Sequence, residues 1–301
     1  MDERECLARR FEAERPRLRA VAYRMLGSLS ESDDAVQETW LRLQRSGADG
    51  VDNLAGWLTT VVARVCLDML RSRTARREQP LEGQPAPDPV VDGADGVDPE
   101  HEALLADAVG LALLVVLDTL APAERLAFVL HDMFGVPFDE IAPLVERTPA
   151  AARQLASRAR RRVRGSDLAP EPDLTRQRTV VDAFLAASRG GEFDALVALL
   201  APDIVLRVDL GATAGVREVH GAAAVAGQAL TFARAAGDAV PVLVNGLAGT
   251  VSLVDGVPRS LLSFTVRDGL VRRIDILADP ARLQHLNVAA LRVDRPKAPG
   301  A

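Results

Sequence analysis

The sequence predicts a multidomain protein: two all-α helical parts followed by an α+β domain. Three observations carry this. Apolar residues recur at helical spacing through the first half of the chain, then alternate with a period of two in much of the chain beyond Asp203. The stretch from Gln79 to Pro99 holds Pro80, Pro85, Pro87, Pro89 and Pro99 with Gly83, Gly93 and Gly96, a composition that packs poorly. A second break lies at Gly165 to Pro172. The resulting parts are 1–78, 100–165 and 173–290, with an acidic linker at 79–99 and a short Pro-rich tail.

Composition narrows the function classes. The 301 residues are 48% hydrophobic and 26% charged, which is globular rather than disordered. The two cysteines, Cys6 and Cys66, stand far apart, against a disulfide framework or a Cys-based zinc site. The start, MDERECLARRF, is charged from its second residue, so no secretory signal is expected. The longest apolar run, Leu111 to Leu117, is too short for a bilayer. A soluble cytoplasmic protein with no membrane partner is expected.

The first part reads as three helical segments. Phe11, Leu18, Val21, Ala22, Met25 and Leu26 share one face and stop at Gly27. Ser30 to Asp33 resemble a capping signal before DDAVQETWLRLQR, where Val36, Trp40 and Leu43 lie together. After SGADGVDN, Leu54, Leu58, Val61, Val62, Val65 and Met69 form another stripe. Arg64, Asp68 and Arg71 lie opposite it, running on into Arg73, Arg76 and Arg77.

The second part is helical as well. A helix is expected from 102 to 120, and Pro122 begins the next, which breaks at Gly135-Val136-Pro137. Then comes a pair: FDEIAPLVE, the turn Arg147-Thr148-Pro149, and AAARQLASRARRRVR. Thr148 is the expected N-cap, with Pro149 at the first helical position. Ala152, Leu155, Ala159 and Val163 would face inward; Arg153, Gln154, Ser157, Arg158 and Arg161 would face out. A short helix, a tight turn and a basic second helix outline a helix-turn-helix.

The third part changes period. Helices are expected at 175–189, 192–200 and near 221–235. Alternation marks strands around Ile204, Leu206 and Val208; Val240, Val242 and Val244; Val251 and Leu253; Leu261, Ser263 and Thr265; and Val271, Ile274 and Ile276. Asp255-Gly256 and Arg267-Asp268-Gly269 are hairpin signals.

The formal net charge of −6 conceals an arrangement. Arg64, Arg71, Arg73, Arg76 and Arg77 cluster around the single acid Asp68. Glu78 to Asp107 then contains nine acids and no Lys or Arg. A second basic block follows at Arg147, Arg153, Arg158, Arg160, Arg161, Arg162 and Arg164, opposed by Glu146 alone. A basic helical stripe is often only a solvated face. Its place on the second helix of a helix-turn-helix gives these arginines a reason, the recognition of nucleic acid.

The residues also carry a resemblance. DDAVQETWLRL with NLAGWLTTVVARVCLDMLRSR resembles the −10-reading domain of extracytoplasmic-function (ECF) RNA polymerase sigma factors. PAERLAFVLHDMFGVPFDEIAPLVERTPAAARQLASRARRRV resembles their −35-reading domain. Residues 173–290 resemble a SnoaL-like cone of the nuclear-transport-factor-2 superfamily. Together they are similar to the SigJ-type branch, in which a SnoaL-like domain is fused behind the sigma core. The resemblance implies two all-α sigma domains, the second with the helix-turn-helix, ahead of an α+β cone. It implies promoter-specific initiation with core RNA polymerase and promoter DNA as partners, no catalysis, no metal and no cofactor.

Carried over residue by residue, the resemblance places Asp33, Asp34, Gln37 and Glu38 on the surface that docks on core polymerase. The residues alone would also read as an acidic helix start. Arg64 is the base-contact candidate for the −10 element, with Arg71, Arg73, Arg76 and Arg77 on phosphates. Trp57 reads equally as core. For the −35 element the candidates are Thr148, Ala151, Arg153, Gln154, Ser157, Arg158 and Arg161, long donors among short residues that allow close approach. The branch carries a Trp-Leu-Pro-Glu-Pro motif in the linker, where this chain has Gln84-Pro85-Ala86-Pro87-Asp88-Pro89. It carries Asp-Gly-Gly-Gly-Lys in the C-terminal domain, where this chain has Asp209-Leu210-Gly211-Ala212-Thr213. In the C-terminal pocket expected of such a cone, Asp209, His220 and Asp275 are the candidate polar residues, with no spacing that ties them into a dyad. A small-molecule ligand there has no residue pattern behind it. Two other readings stay open on sequence alone: a one-component regulator sensing a small molecule, and an enzyme carrying a DNA-binding module.

Overall fold

The computed structural model describes residues 3–47, 51–76, 87–94, 96, 110–165, 171–211, 213–233 and 237–286. The chain divides into two units. The first takes 1–81, 99–107 and 113–167, and the second 82–98, 108–112 and 168–301. Among the described residues, no helix is long and apolar enough to cross a membrane.

In the first unit, α1 (Glu3–Leu26), α2 (Leu29–Ser46) and α3 (Leu54–Arg76) pack on one another. All six residues expected on the inner face of α1 are buried. Gly27, at φ 70°, ends that helix and donates its N–H to Tyr23 O at 2.8 Å. α2 begins a turn earlier than expected, with Ser28 as its N-cap. Asp33, expected in the cap, is instead drawn to Arg19 at 2.7 Å, a charge-assisted partner stronger than a backbone N–H. α3 is buried more widely than one stripe: Ala63, Cys66, Leu67 and Leu70 join Leu58 and Val62. The reason is a second set of neighbours, contributed by the other helical part.

That second helical part contains α4 (Leu111–Asp118), α5 (Pro122–Phe128), a π-turn (Val129–Met133), α6 (Phe138–Leu144) and α7 (Pro149–Gly165). The first half of the helix expected from 102 lies outside the described residues. α5 and α6 pack on α3, so the two helical parts expected at 1–78 and 100–165 share one unit, apart from 108–112, which belong to the second. Two arginines fasten them. Arg125, 2% exposed, donates Nε to Arg24 O at 3.0 Å and ion-pairs with Asp118. Arg24, 1% exposed, places its guanidinium 5.1 Å from the Phe134 ring centroid. The inner face of α7 is Ala152, Ala156 and Ala159, while Leu155 and Val163, expected inside, are half-buried. Three alanines in a row let α7 approach α5 and α6 closely and leave no room for a leucine on that line.

The second unit is α+β. In chain order it contains β1 (Val91–Gly93), α8 (Leu174–Gly190), α9 (Phe193–Leu199), β2 (Leu200–Asp209), β3 (Val216–His220) and α10 (Ala222–Ala233). β4 (Asp238–Val244), β5 (Leu247–Val254), β6 (Val257–Arg267), β7 (Leu270–Leu277) and α11 (Pro280–Leu283) complete it. The sheet order is β1-β4-β5-β6-β7-β2-β3, antiparallel throughout except for the β2–β7 pair. α8, α9 and α10 cover the face bearing Leu206, Val208, Phe264 and Ile274. The other face carries Val242, Val244, Val251, Leu261 and Leu277, with Leu283 of α11 upon them. The hairpins at Asp255-Gly256 and Asp268-Gly269 have positive φ at both turn residues, the type I′ geometry those pairs favour. Asn245-Gly246 makes a third of the same kind. β3 carries no clean alternation because it is a largely exposed edge.

The linker departs from expectation. Residues 87–94 do not run free; they pack on the sheet of the second unit. Pro87, Pro89, Val90 and Asp92 are buried, and β1 pairs with β4 through Val91↔Val244 and Gly93↔Val242. Asn245 clasps Val90 in both directions, accepting its N–H at 3.1 Å and donating its own N–H to Val90 O at 2.8 Å. The physical reason is general. Residues before proline favour extended backbone, and a sheet edge offers unpaired N–H and C=O groups to any extended segment.

Candidate nucleic-acid interface

The turn between α6 and α7 is built by backbone chemistry. Glu146 adopts φ 55°, Arg147 N–H reaches Ala142 O at 3.0 Å, and Glu146 N–H reaches Pro143 O at 3.4 Å, a Schellman arrangement that closes α6. Thr148 Oγ1 accepts the Ala151 N–H at 3.3 Å, capping α7 as its sequence predicts, and Pro149 begins the helix. The outer face of α7 then carries Arg153, Gln154, Ser157, Arg158 and Arg161, all exposed, with Ala151 half-buried at its start.

The arginines of α7 divide by partner. Arg158 Nε lies 3.0 Å from Glu124 Oε1, and Arg162 Nη1 lies 3.4 Å from Glu124 Oε2. Arg160 pairs with Asp132. These three hold α7 to α5 and the π-turn. Arg158 thus has a structural partner that its position in the sequence did not reveal. Glu124, 8% exposed, is the carboxylate that collects two of them, and sequence reasoning missed it. Arg153 instead lies over the Phe138 ring, 5.3 Å from its centroid.

On α3 the basic stripe also divides. Arg64 is exposed one helical turn beyond the half-buried Val61 and Thr60, with Trp57 half-buried on the same side. Arg71 is exposed and lies 3.8 Å from Glu146. Arg73, expected at a phosphate, is half-buried and clamps two helices. It donates Nη1 to Leu26 O at 3.2 Å, at the C-terminus of α1, and Nε to Glu31 in the first turn of α2 at 3.2 Å. A guanidinium there satisfies an orphan carbonyl and the negative end of the α1 dipole. The Arg76 side chain and Arg77 lie outside the described residues.

The four residues of the expected docking surface do not behave alike. Asp33 is bound to Arg19, and Glu38 receives Arg42 at 2.9 Å and Arg45 at 3.2 Å. The Arg42 hydrogen bond holds the Glu38 carboxyl below its usual range. Asp34 and Gln37 are exposed, and Leu41, 41% exposed, continues their face one turn on.

In the second unit, Asp209 is buried and receives Arg282 Nη1 at 2.9 Å and the Gly211 N–H at 3.0 Å. Asp275, also buried, is gripped by Arg273 at 2.9 Å. His220 is exposed, 3.5 Å from Glu218. The structure does not bring these three together. Register places Asp209 opposite Leu277 on β7, so Asp209 and Asp275 lie on the sheet face away from α8, α9 and α10. Arg282 does more than neutralise Asp209. Its Nη2 donates to Pro87 O at 3.1 Å and to Asp88 at 3.0 Å, so one side chain bridges the linker and β2, the two stretches that depart from the branch pattern. Among the described residues, no group of three or more His, Cys, Asp or Glu is placed to hold a metal ion.

Comparisons with known proteins agree with this arrangement. Residues 10–76 match Sigma-70 region 2, and residues 110–163 match Sigma-70 region 4. The chain is 40% identical over 287 residues to the ECF RNA polymerase sigma factor SigJ of Mycobacterium tuberculosis, covering 90% of this chain and 91% of that protein. The chain belongs to the ECF sigma factors. It is also 33% identical over 287 residues to the probable ECF RNA polymerase sigma factor SigI of the same species, covering 95% of this chain and 98% of that protein. The crystal structure of M. tuberculosis SigJ matches with a TM-score of 0.74 and 36% identity, over 92% of this chain and 98% of that one. This sigma factor therefore directs promoter-specific initiation and is not an enzyme. Sigma factors bind core RNA polymerase and promoter DNA, and its two helical parts are the regions that match their families. Its C-terminal part is the domain of helices and mixed sheet described above, within the span that the SigJ structure matches.

Proposed function

We propose that this sigma factor docks on core polymerase in the cytoplasm through Asp34, Gln37 and Leu41 of α2, reads the −10 element from Arg64 and Arg71, and reads the −35 element from α7. Exposed donors with no carboxylate of the described residues at hydrogen-bonding distance support the choice of Arg64, Arg153, Gln154 and Arg161 as DNA contacts, with Thr148, Ala151 and Ser157 allowing close approach. Arg158 contributes less to the DNA than its position implies, because Glu124 competes for it.

The SnoaL-like domain modulates initiation by holding the linker between the two DNA-reading parts. The observation that carries this is the β1 strand: linker residues 87–94 are bound to the sheet by backbone pairing, the Asn245 clasp and Arg282. A segment bound there is not free to follow the polymerase surface, so the two sites compete for it. The test is transcription in vitro with purified core polymerase. Promoter use that requires core polymerase separates this reading from a one-component regulator, which would bind promoter duplex alone. Truncation after Gly165 changes the yield from a cognate promoter; equal activity of truncated and full-length protein across several polymerase concentrations overturns the modulating role.

A further inference from the structure

Arg153 is the first arginine on the exposed face of α7. Its neighbours on the same helix, Arg158, Arg160 and Arg162, each reach a carboxylate within the unit. Arg153 has a different support. Its guanidinium carbon lies 5.3 Å from the centroid of Phe138, the first residue of α6. Phe138 is 9% exposed and is itself braced, since the His131 ring stacks on it at a centroid distance of 3.9 Å and an interplanar angle of 28°. His131 is fixed in turn. Its Nδ1 lies 3.0 Å from Val136 O, and a carbonyl can only accept, so that nitrogen carries the hydrogen. The π-turn thus braces the aromatic pair that supports the recognition helix.

The chemistry of the support matters. A carboxylate engages the N–H donors of a guanidinium and withdraws them from other acceptors. An aromatic ring attracts the cation through its quadrupole and restrains the long side chain without consuming those donors. We propose that Phe138 is a positioning residue for Arg153, restraining the guanidinium at the start of α7 while leaving its N–H groups available to one base of the −35 element. His131 holds the ring in place. The inference rests on the reading of α7 as the −35 recognition helix.

The test uses the full chain with core polymerase and a pool of double-stranded promoters randomised at the −35 element with a fixed −10 element. Each promoter is linked to a barcode in its transcribed region, and barcode counts in the transcripts, relative to the template pool, give the base preference at each position. Arg153→Ala is expected to flatten one position. Phe138→Leu is expected to lower the preference at that same position about 2- to 5-fold, the range of a partly exposed cation–π contact, with the other positions unchanged. Phe138→Tyr, which keeps the ring, is expected to retain the wild-type profile. Phe138→Met, apolar and unbranched, replaces the leucine variant if that protein does not fold. Three results overturn the positioning role alone while Arg153→Ala still flattens one position: a wild-type profile for Phe138→Leu, a uniform loss at all positions, or an equal loss for Phe138→Tyr. If Arg153→Ala changes no position, the base-reading role of Arg153 fails and the proposal falls with it.

Discussion

Arg282 makes two ion pairs of very unequal weight, and replacing it separates them. At one end its Nη1 meets Asp209, whose side chain is 1% exposed; at the other its Nη2 meets Asp88 of the linker, 35% exposed. Arg282→Ala leaves the buried Asp209 carboxylate without its guanidinium. Removing one partner of a buried pair costs about 3–5 kcal/mol. The retained Gly211 N–H bond to Asp209 places the expected loss near the lower bound, about 3 kcal/mol, or a fall of roughly 10 °C in the unfolding midpoint of the C-terminal unit. Asp88→Ala breaks only the exposed end, about 0.2–1 kcal/mol, and leaves the midpoint nearly unchanged. Both changes loosen the linker. The Val90 amide, which donates to Asn245 Oδ1, reports this by hydrogen exchange. It is expected to exchange up to about 5-fold faster in Asp88→Ala and more than about 100-fold faster in Arg282→Ala. Calorimetry and exchange measured on the same samples decide the matter. Equal midpoints for the two variants, or unchanged Val90 exchange in both, would refute the assignment of Arg282 as the bridge.

Four further outcomes concern the first unit. Asp34→Arg reverses an exposed charge with no ion pair among the described residues, so it weakens association with core polymerase while the unfolding midpoint stays at the wild-type value; normal co-purification with core polymerase removes Asp34 from the docking face. The Cys66 thiol is fully buried and its pKa is pushed up to about 12, so under native conditions an alkylating reagent modifies exposed Cys6 and spares Cys66. A folded pKa above the unfolded one means stability present at neutral pH is lost as the solution becomes alkaline. Cys66 contributes a decline of about 1.4 kcal/mol per pH unit between the unfolded pKa near 9 and about pH 12, which Cys66→Ala abolishes in pH-dependent denaturant titrations. Glu146→Gly relieves a left-handed non-glycine residue at the end of α6 and stabilises the unit by about 0.5 kcal/mol after the added unfolded-state entropy of glycine; a lower denaturation midpoint contradicts this.

Much of the architecture was legible along the chain because local patterns coincide with the tertiary ones. Phe11 to Leu26 declare a buried face by spacing alone, and Thr148-Pro149 declare a helix start by capping chemistry. The Asn245-Gly246 turn carried the same signal as its two neighbours, and reading it would have placed the β4–β5 hairpin in advance. The candidate DNA-facing residues of α7 were also legible, since exposure follows from position on an amphipathic helix.

What the sequence determined by itself is the order of the main helices and of five of the seven strands, the two basic helices and the switch from helical to alternating period. Each of these depends on residues near one another in the chain. The tertiary structure alone decided which charges are available. Arg73 looks like Arg64 in the sequence, yet it is held by Glu31 and Leu26 O, 42 and 47 residues away. Arg158 looks like Arg153, yet Glu124 takes one and Phe138 supports the other. The linker reads as solvated because its prolines and acids have no local partner, yet its residues 87–94 pack on the sheet because β4 and Arg282, about 150 and more residues later, supply one. Burial and pairing of a charge depend on groups that meet only when distant segments pack, and no spacing along the chain encodes which of them will.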